Sequence, residues 1–284
     1  MISVVMPAYN AEEYISDAIE SILHQTFTQF EFIIADDSST DHTASIIHEY
    51  MQQDDRIRYI RCEERSAGGT RNVAIQHAQY PYIALMDADD IAYPNRLQVQ
   101  YEAAQQSPDV VVWGCYMQRI TPDGLPMNRV NVGPTSPDAF HALDRTQELI
   151  SLYGTVAFFR RDIFIKAGQF NPEMQVAEDS ELWDRMAHYG EVIVLPQVLQ
   201  DYRQHAQSLS VAKLANERKY HSFIKARFAK QQAGSDLTLA EYSQQYDRIS
   251  RFEHWSRNMR GLSQSLGRQA MIDFARKHYF AGIF

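Results

Sequence analysis

The chain of 284 residues has little of what marks membrane, secreted or disulfide-rich proteins. It has no run of about 18 apolar residues, so no membrane-spanning helix is expected. Its first residues, MISVVMPAYN, enter an apolar run without a basic segment, which predicts no signal peptide. The two cysteines, Cys62 and Cys115, have no Cys or His at zinc-binding spacing, so we interpret them as buried thiols. These absences favour a cytoplasmic globular protein.

Two phosphate-binding signatures are also missing. There is no GxGxxG motif after the first predicted strand and no GxxxxGK[ST] loop. A dinucleotide site and a P-loop are therefore not expected. Any phosphate group would have to be held in another way, which favours a metal ion.

Acidic and basic residues are distributed unevenly along the chain. Residues 1–205 contain 14 Lys and Arg against 30 Asp and Glu, a balance of −16, and residues 206–284 contain 13 against 6, a balance of +7. The change of sign predicts a boundary near residue 206. The acidic first part argues against nucleic acid as a partner.

Apolar strand-like runs alternate with helical patterns over the first 90 residues. The runs cover residues 2–6, 30–35, 57–62 and 82–86. This rhythm predicts an α/β fold with a mostly parallel, nucleotide-binding-like sheet. Asn10 and Glu13 have capping-box spacing, residues 66–69 are predicted to form a flexible turn, and residues 118–148 a long, irregular excursion.

Three aspartates, Asp87, Asp89 and Asp90, follow the apolar run at 82–86. Carboxylates this close repel one another at the end of a buried strand, so a compensating Mg²⁺ or Mn²⁺ is one interpretation. The other is an acidic loop before a helix that Pro94 opens. Ligands of such sheets bind beyond the carboxyl ends of the strands, where residues 7–10, 36–41 and 87–90 are expected to converge.

A second acidic pair, Glu178 and Asp179, precedes an amphipathic helix predicted over residues 180–189. Leu182, Met186 and Tyr189 are expected to face the core. Carboxylates in a first turn suit the helix dipole. The alternative is that Asp179 is a general base, with Glu178 as the next candidate.

Seven motifs together resemble the inverting glycosyltransferases of family 2, which have the GT-A fold. In chain order they are PAYN at 7–10, ADDSSTD at 35–41, Arg71-Asn72, DADD at 87–90, FFRRDIF at 158–164, AEDSELWDRM at 177–186 and YRQH at 202–205. The resemblance covers residues 1 to about 210. It implies a catalytic domain at 1–205, with a nucleotide-sugar half to about 117 and an acceptor half from about 118, followed by a helical region at 206–284.

The resemblance also implies roles for individual residues. Donor binding would fall to Pro7, Ala8, Tyr9, Asp37, Arg71, Asp87 and Ala88. The Mn²⁺ or Mg²⁺ ligands would be Asp89, Asp87 and His205. Asp179 would be the catalytic base, and Trp183 and Glu178 would face the acceptor. The chain lacks the QxxRW motif of processive synthases, so we expect transfer of one or a few sugars.

The expected reaction is metal-dependent, inverting transfer from a nucleotide-diphosphate sugar, with UDP expected, to a glycan or lipid-linked acceptor in cell-surface polysaccharide synthesis. A nucleotidyltransferase is one alternative, although the segment PAYNAEEY lacks the basic residues that its first loop would need. A non-catalytic nucleotide-sugar-binding protein is another. The basic, aromatic-rich region 206–284 is expected to pack on the domain, to form a homodimer, or to bind the inner face of an anionic membrane.

Overall fold

A computed structural model describes residues 1–146, 149–205, 214–232 and 234–247. The chain divides into two compact units, Met1–Lys213 and Leu214–Phe284. Among the described residues, no helix is both long enough and apolar enough to cross a membrane.

The first unit is built on one mixed sheet. Its strands are β1 (Ile2–Ala8), β2 (Phe30–Asp36), β3 (Ile57–Arg61), β4 (Tyr82–Leu85), β5 (Ile91–Ala92), β6 (Val110–Ile120), β7 (Pro126–Val130), β8 (Phe158–Arg160) and β9 (Glu191–Arg203). The spatial order is β3-β2-β1-β4-β8-β6-β9-β5, and β7 pairs with β6. Helices flank this sheet: α1 (Ile15–Leu23), α2 (Thr43–Met51), α3 (Ala67–Gln76), α4 (Arg96–Gln106), α5 (Pro137–Thr146), α6 (Arg161–Lys166) and α7 (Glu178–Met186).

Parallel pairing in the first half of the sheet confirms the predicted α/β crossovers. Strand β1 pairs in parallel with both β2 and β4, and β2 pairs in parallel with β3. The second half is more antiparallel than predicted. Strand β8 runs antiparallel to both β4 and β6, although β6 and β9 are parallel.

Successive residues of β1 point to opposite faces of the sheet, and both faces are buried. Val5 packs in one apolar cluster with Leu85 and with Leu182 of α7. Val4 and Met6 pack in the other cluster, under α1. This two-sided burial explains the nearly continuous apolar runs of the sequence. The same packing holds α7 against one face of the sheet, through Leu182.

Two local predictions about helix starts are wrong. Helix α1 begins at Ile15 without a side-chain cap, and the Asn10 side chain instead accepts a hydrogen bond from the Thr40 backbone at 2.8 Å. Helix α3 begins at Ala67, within the predicted flexible turn, because the Ser66 hydroxyl caps it by accepting a bond from Gly69 N–H. Residues 66–69 are therefore a helix cap and first turn.

Two further segments are more regular, or shorter, than predicted. The segment at 118–148 includes the end of β6, strand β7 and helix α5. Helix α7 ends at Met186, so Leu182 and Met186 are buried as predicted, but Tyr189 is exposed.

The second unit contains two described helices, α8 (Leu214–Gln232) and α9 (Leu239–Asp247). The buried Phe223 ring packs on the Tyr242 ring with 5.7 Å between centroids. Arg227 Nε lies 3.0 Å from Asp236 Oδ1 in an ion pair. Residues 206–213 and 248–284, on which much of the predicted membrane or dimer contact depends, lie outside the described residues.

Candidate active site

The site begins where β4 ends, at Asp87 to Asp90. The Asp87 N–H donates to the Thr155 hydroxyl at 3.2 Å, and the Asp90 N–H donates back to the Asp87 carbonyl at 3.4 Å. This turn separates the aspartates. Asp90 is fully buried, whereas Asp87 and Asp89 remain partly exposed. The three carboxylates therefore occupy three different environments.

Asp89 and His205 form the part of the site best suited to a metal ion. Asp89 Oδ2 lies 2.9 Å from His205 Nε2, and the His205 ring packs on Tyr14 with 4.9 Å between ring centroids. No group of three His, Cys, Asp or Glu side chains that could hold a metal lies within the described ranges. A carboxylate and an imidazole still fit Mn²⁺ or Mg²⁺, because such ions usually take few protein ligands and complete their shell with substrate phosphates and water.

Asp87 is not part of that pair, because it binds Arg71. One Arg71 nitrogen donates to Asp87 Oδ1 at 2.8 Å, and the other donates to Glu178 Oε1 at 2.7 Å. The Arg71 residue is buried, with a relative exposure of 5%. It thus joins the β4 turn to the first residue of α7. The prediction placed Arg71 beside the base or diphosphate of a donor, whereas the structure pairs it with carboxylates.

Asp179 lies one residue into α7 and is held by the backbone. Its Oδ2 accepts a bond from Gly154 N–H at 2.9 Å, and its Oδ1 accepts one from Ser180 N–H at 2.7 Å. Burial raises the pKa of Asp179 above its ordinary value, against the opposing effect of the backbone bonds. A carboxylate with a raised pKa and a fixed orientation has the properties of a general base.

The backbone around this pair is close-packed and strained. Ala177, which precedes Glu178, has a left-handed conformation with φ of 58°. Gly68 of α3 approaches the same segment, and a Cβ there would lie 3.4 Å from Glu178 Cγ and 3.2 Å from Phe170 Cβ. A left-handed alanine costs about 1–2 kcal/mol, so the surrounding packing holds the start of α7 in place. Burial also raises the pKa of Glu178, and Arg71 opposes that rise.

A buried network of polar side chains holds the turn after β4, residues 87–90, in place. Gln200 on β9 donates to Asp90 Oδ2 at 2.8 Å and to the Thr155 hydroxyl at 2.6 Å, and its own oxygen accepts a bond from Arg96. Thr155 also donates to Asp90 at 2.6 Å. Because Thr155 follows Gly154, this network connects the aspartate turn with the backbone donor that holds Asp179.

The network gives a stability prediction. Gln200→Leu leaves Asp90, Thr155 and Arg96 each short of a buried partner, and we expect the free energy of unfolding to fall by about 3 kcal/mol. Chemical denaturation of both proteins measures the change. Gln53→Leu, at an exposed turn position, is the matched control and should change stability by no more than about 0.5 kcal/mol. Equal losses in the two variants would contradict the prediction.

The ends of β1 and β2 meet beside this turn, as predicted for a nucleoside pocket. The Asp37 N–H donates to the Ala8 carbonyl at 2.8 Å, and Asp37 Oδ1 accepts a bond from Glu64 N–H at 2.7 Å. Pro7 and Ala8 are the last two residues of β1, and Tyr9 just after them is 63% exposed. Ala88 is buried inside the β4 turn. The predicted donor residues are therefore gathered at one edge of the sheet, except that Arg71 is engaged with carboxylates.

The prediction that Trp183 faces the acceptor is corrected by the structure. Its side chain is fully buried among the core aromatics, and its indole N–H donates to the Leu152 carbonyl at 2.9 Å. The physical reason is helical geometry, since Leu182, Trp183 and Met186 share the face of α7 that packs on the sheet. Trp183 therefore anchors the helix that carries Asp179.

Several site residues were not predicted from the sequence. Gly154, Thr155 and Gln200 had no signal, because none belongs to a local motif. Arg203 lay within the YRQH motif but was given no role. Its side chain donates to the Asp89 carbonyl at 2.9 Å and to Asp17 at 3.0 Å.

Comparisons with known proteins identify the family of this chain. The model of the family "Glycosyl transferase family 2" matches residues 3–168. The chain therefore belongs to glycosyl transferase family 2.

Bacterial relatives align with parts of the chain. TuaG of Bacillus subtilis, whose name assigns it to teichuronic acid biosynthesis, is 35% identical over 147 residues, which are 51% of this chain and 58% of TuaG. EpsJ of the same organism is 30% identical over 221 residues, 74% of this chain and 63% of EpsJ. GlyG of Streptococcus pneumoniae is 37% identical over 125 residues, 44% of this chain and 42% of GlyG. The chain thus spans less than two thirds of these relatives.

Solved structures share the fold. Residues 1–349 of S. aureus TarS, in complex with UDP-GlcNAc, superimpose with a TM-score of 0.66 at 21% identity, over 86% of this chain and 69% of that TarS chain. A mannosyltransferase from Pyrobaculum calidifontis, in complex with GDP-Man and Mn²⁺, has a TM-score of 0.59 at 17% identity, over 100% of this chain and 80% of its own. The predicted GT-A fold, a curled mixed sheet with flanking helices, is confirmed.

Proposed function

We propose that this chain is a metal-dependent, inverting and non-processive glycosyltransferase that uses a UDP-sugar. The observation that carries the proposal is the fixed position of Asp179, a carboxylate with a raised pKa on a helix that Arg71 and Glu178 join to the β4 turn. The base and the Asp89–His205 pair then lie on separate elements of one site. Such a separation suits a single displacement, with the leaving group on one side and the acceptor on the other.

Asp179 would accept the proton of the acceptor hydroxyl while the new glycosidic bond forms. Its two backbone donors keep the carboxylate oriented, and its raised pKa makes it a better proton acceptor than an ordinary aspartate. Arg71 holds Asp87 and Glu178, so these carboxylates orient the turn and the helix. A metal ion held by Asp89 and His205 would supply neutralisation of the negative charge that develops on the leaving diphosphate.

The choice of UDP draws on the UDP-GlcNAc complex of TarS, and a GDP-sugar is the second candidate, given the GDP-Man complex of the mannosyltransferase. The name of TuaG supports a cell-surface polysaccharide as the product. The acceptor would be a glycan or a lipid-linked sugar. The family assignment disfavours the alternative of a nucleotidyltransferase. The other alternative, a non-catalytic binding protein, is recognised by donor binding without turnover.

Donor and metal dependence can be tested together by thermal stabilisation. We expect one nucleotide sugar, added with Mn²⁺, to raise the Tm by an amount that increases with its concentration relative to its Kd, and EDTA to abolish both this shift and turnover. Asp89→Asn should remove the metal-dependent part of the shift, because it replaces the carboxylate 2.9 Å from His205. Asp55→Asn, at an exposed surface turn, is the matched control. Full turnover in excess EDTA would exclude the metal.

We also propose a cytoplasmic enzyme whose basic C-terminal region, residues 206–284, brings it to an anionic membrane surface. Its balance of +7 carries the proposal, since each Lys or Arg near such a surface contributes about 1 kcal/mol. We expect the full chain to co-sediment with phosphatidylserine vesicles at low salt and to be released at high salt. A chain cut near residue 206 should stay in the supernatant. If the full chain also stays there, packing or dimerisation of this region replaces membrane binding.

A further inference from the structure

Arg119 differs from the other arginines that line the site. Arg71 and Arg203 each form ion pairs with carboxylates, and Arg96 is saturated by the buried network. The Arg119 side chain makes one hydrogen bond within the described residues, from Nη2 to the Tyr153 hydroxyl at 3.3 Å. It forms no ion pair with any described acidic residue, although residues 1–205 carry a balance of −16.

The guanidinium of Arg119 is also partly withdrawn from water. Its Nε is buried without a hydrogen-bond partner, and within the described residues Arg71 Nε is the only other buried side-chain polar atom in this state. The buried Nε–H has no acceptor, which is costly, and the rest of this half-buried guanidinium has no described protein carboxylate to bind. Its fork of donors fits a carboxylate or a phosphate in a bidentate manner.

Two tyrosines complete the surroundings of this group. Arg119 on β6 lies beside Tyr202 on β9 in the parallel register, so both side chains point to the same face of the sheet. The rings of Tyr202 and Tyr153 pack with 5.6 Å between centroids. The Arg119 side chain thus lies beside a pair of packed amphipathic rings, which can cover an apolar face of a ligand.

The position of this group places it on the acceptor side of the site. Tyr153 directly precedes Gly154, the donor that holds Asp179, and Tyr202 is three residues before His205. In the sheet, β6 is separated from β1 by β4 and β8, so these two strands are about 14 Å apart across the sheet. The predicted nucleoside loop follows β1, whereas Arg119 lies on β6.

We propose that Arg119, Tyr153 and Tyr202 form an acceptor subsite that binds the anionic group of an acidic glycan. The carboxylate of a uronic acid and a phosphate substituent share the chemistry that Arg119 recognises. The proposal rests on the proposed glycosyl transfer and names the substrate class at that same site. It explains why a half-buried guanidinium is kept without a described protein carboxylate in an otherwise acidic domain.

A glycan array of matched pairs tests the subsite with the full chain saturated with UDP and Mn²⁺. Each uronic acid is printed beside its neutral hexose, and each sugar 6-phosphate beside its unphosphorylated parent. We expect binding to the acidic member to exceed binding to its neutral partner by about 10-fold or more, the effect of one charge-assisted hydrogen bond. The uronate and phosphate arms separate the two sources of charge.

Three variants complete the test. Arg119→Gln should abolish the preference, Arg119→Lys should retain part of it, and Arg129→Gln, at an exposed position on β7, should leave it unchanged. Melting curves show that each variant is folded. Equal binding of acidic and neutral members, an absence of binding to every pair, or a preference that survives Arg119→Gln overturns the proposal. UDP binding and donor turnover are measured in the same variants without the array. A loss of these two activities would contradict the proposed glycosyl transfer, whereas the array tests only the acceptor subsite.

Discussion

Asp179→Asn is expected to lower kcat by at least about 100-fold, the usual consequence of losing a general base. The asparagine amide has nearly the shape of the carboxylate but cannot take the proton of the acceptor hydroxyl. Because Asp179 touches the Gly154 and Ser180 backbone rather than the predicted donor residues, the Kd of the nucleotide sugar should change by less than about threefold. Steady-state kinetics and a donor titration measure the two quantities.

Glu178→Gln provides the matched control for that experiment. Glu178 shares the start of α7, but its Oε1 accepts a bond from Arg71 at 2.7 Å, so we expect a smaller loss of kcat than at Asp179. If Asp179→Asn turns over at nearly the original rate while Glu178→Gln does not, the base is Glu178. Melting curves distinguish either result from unfolding, since the variants retain the packing of Leu182 and Met186.

Predictions from the sequence were accurate where one short segment contained the whole signal. The runs around Val4, Ile33 and Leu85 are buried on both faces, so their composition alone indicated parallel strands. The carboxyl ends of parallel strands lie at one edge of a sheet. The strand pattern therefore also predicts that Tyr9 and Asp89 lie at that edge.

Predictions failed where the outcome depended on partners distant in sequence. Asn10 has capping-box spacing, but its side chain binds Thr40, 30 residues away. Gln200 and Asp90 are 110 residues apart, and nothing local in either segment indicates their bond. The resemblance implied that Trp183 faces the acceptor, but the side chain is buried and its indole N–H binds the Leu152 carbonyl, 31 residues away.

The ion pairs of Arg71 give the second large effect. Arg71→Met removes the cation that lies 2.8 Å from Asp87 and 2.7 Å from Glu178, and it leaves these carboxylates with Asp179 in a buried site. Breaking a buried pair in this way costs about 3–5 kcal/mol, and we expect a loss of that size in the free energy of unfolding at about pH 8. Arg160→Met, which breaks an exposed pair with Asp162, is the matched control and should cost less than about 1 kcal/mol.

The loss in Arg71→Met should also depend on pH, with a sign that the pKa shifts determine. Burial already raises the pKa of Glu178 and of Asp179 in the folded protein, and Arg71 opposes both rises. Without Arg71 the two pKa values rise further, while those of the unfolded chain do not change. A group whose pKa is raised on folding favours the folded state at low pH and loses that contribution as pH increases through the folded-state pKa. Denaturation at about pH 5 should therefore show a smaller loss than at about pH 8, and equal losses at both values would mean that Arg71 acts through packing rather than charge.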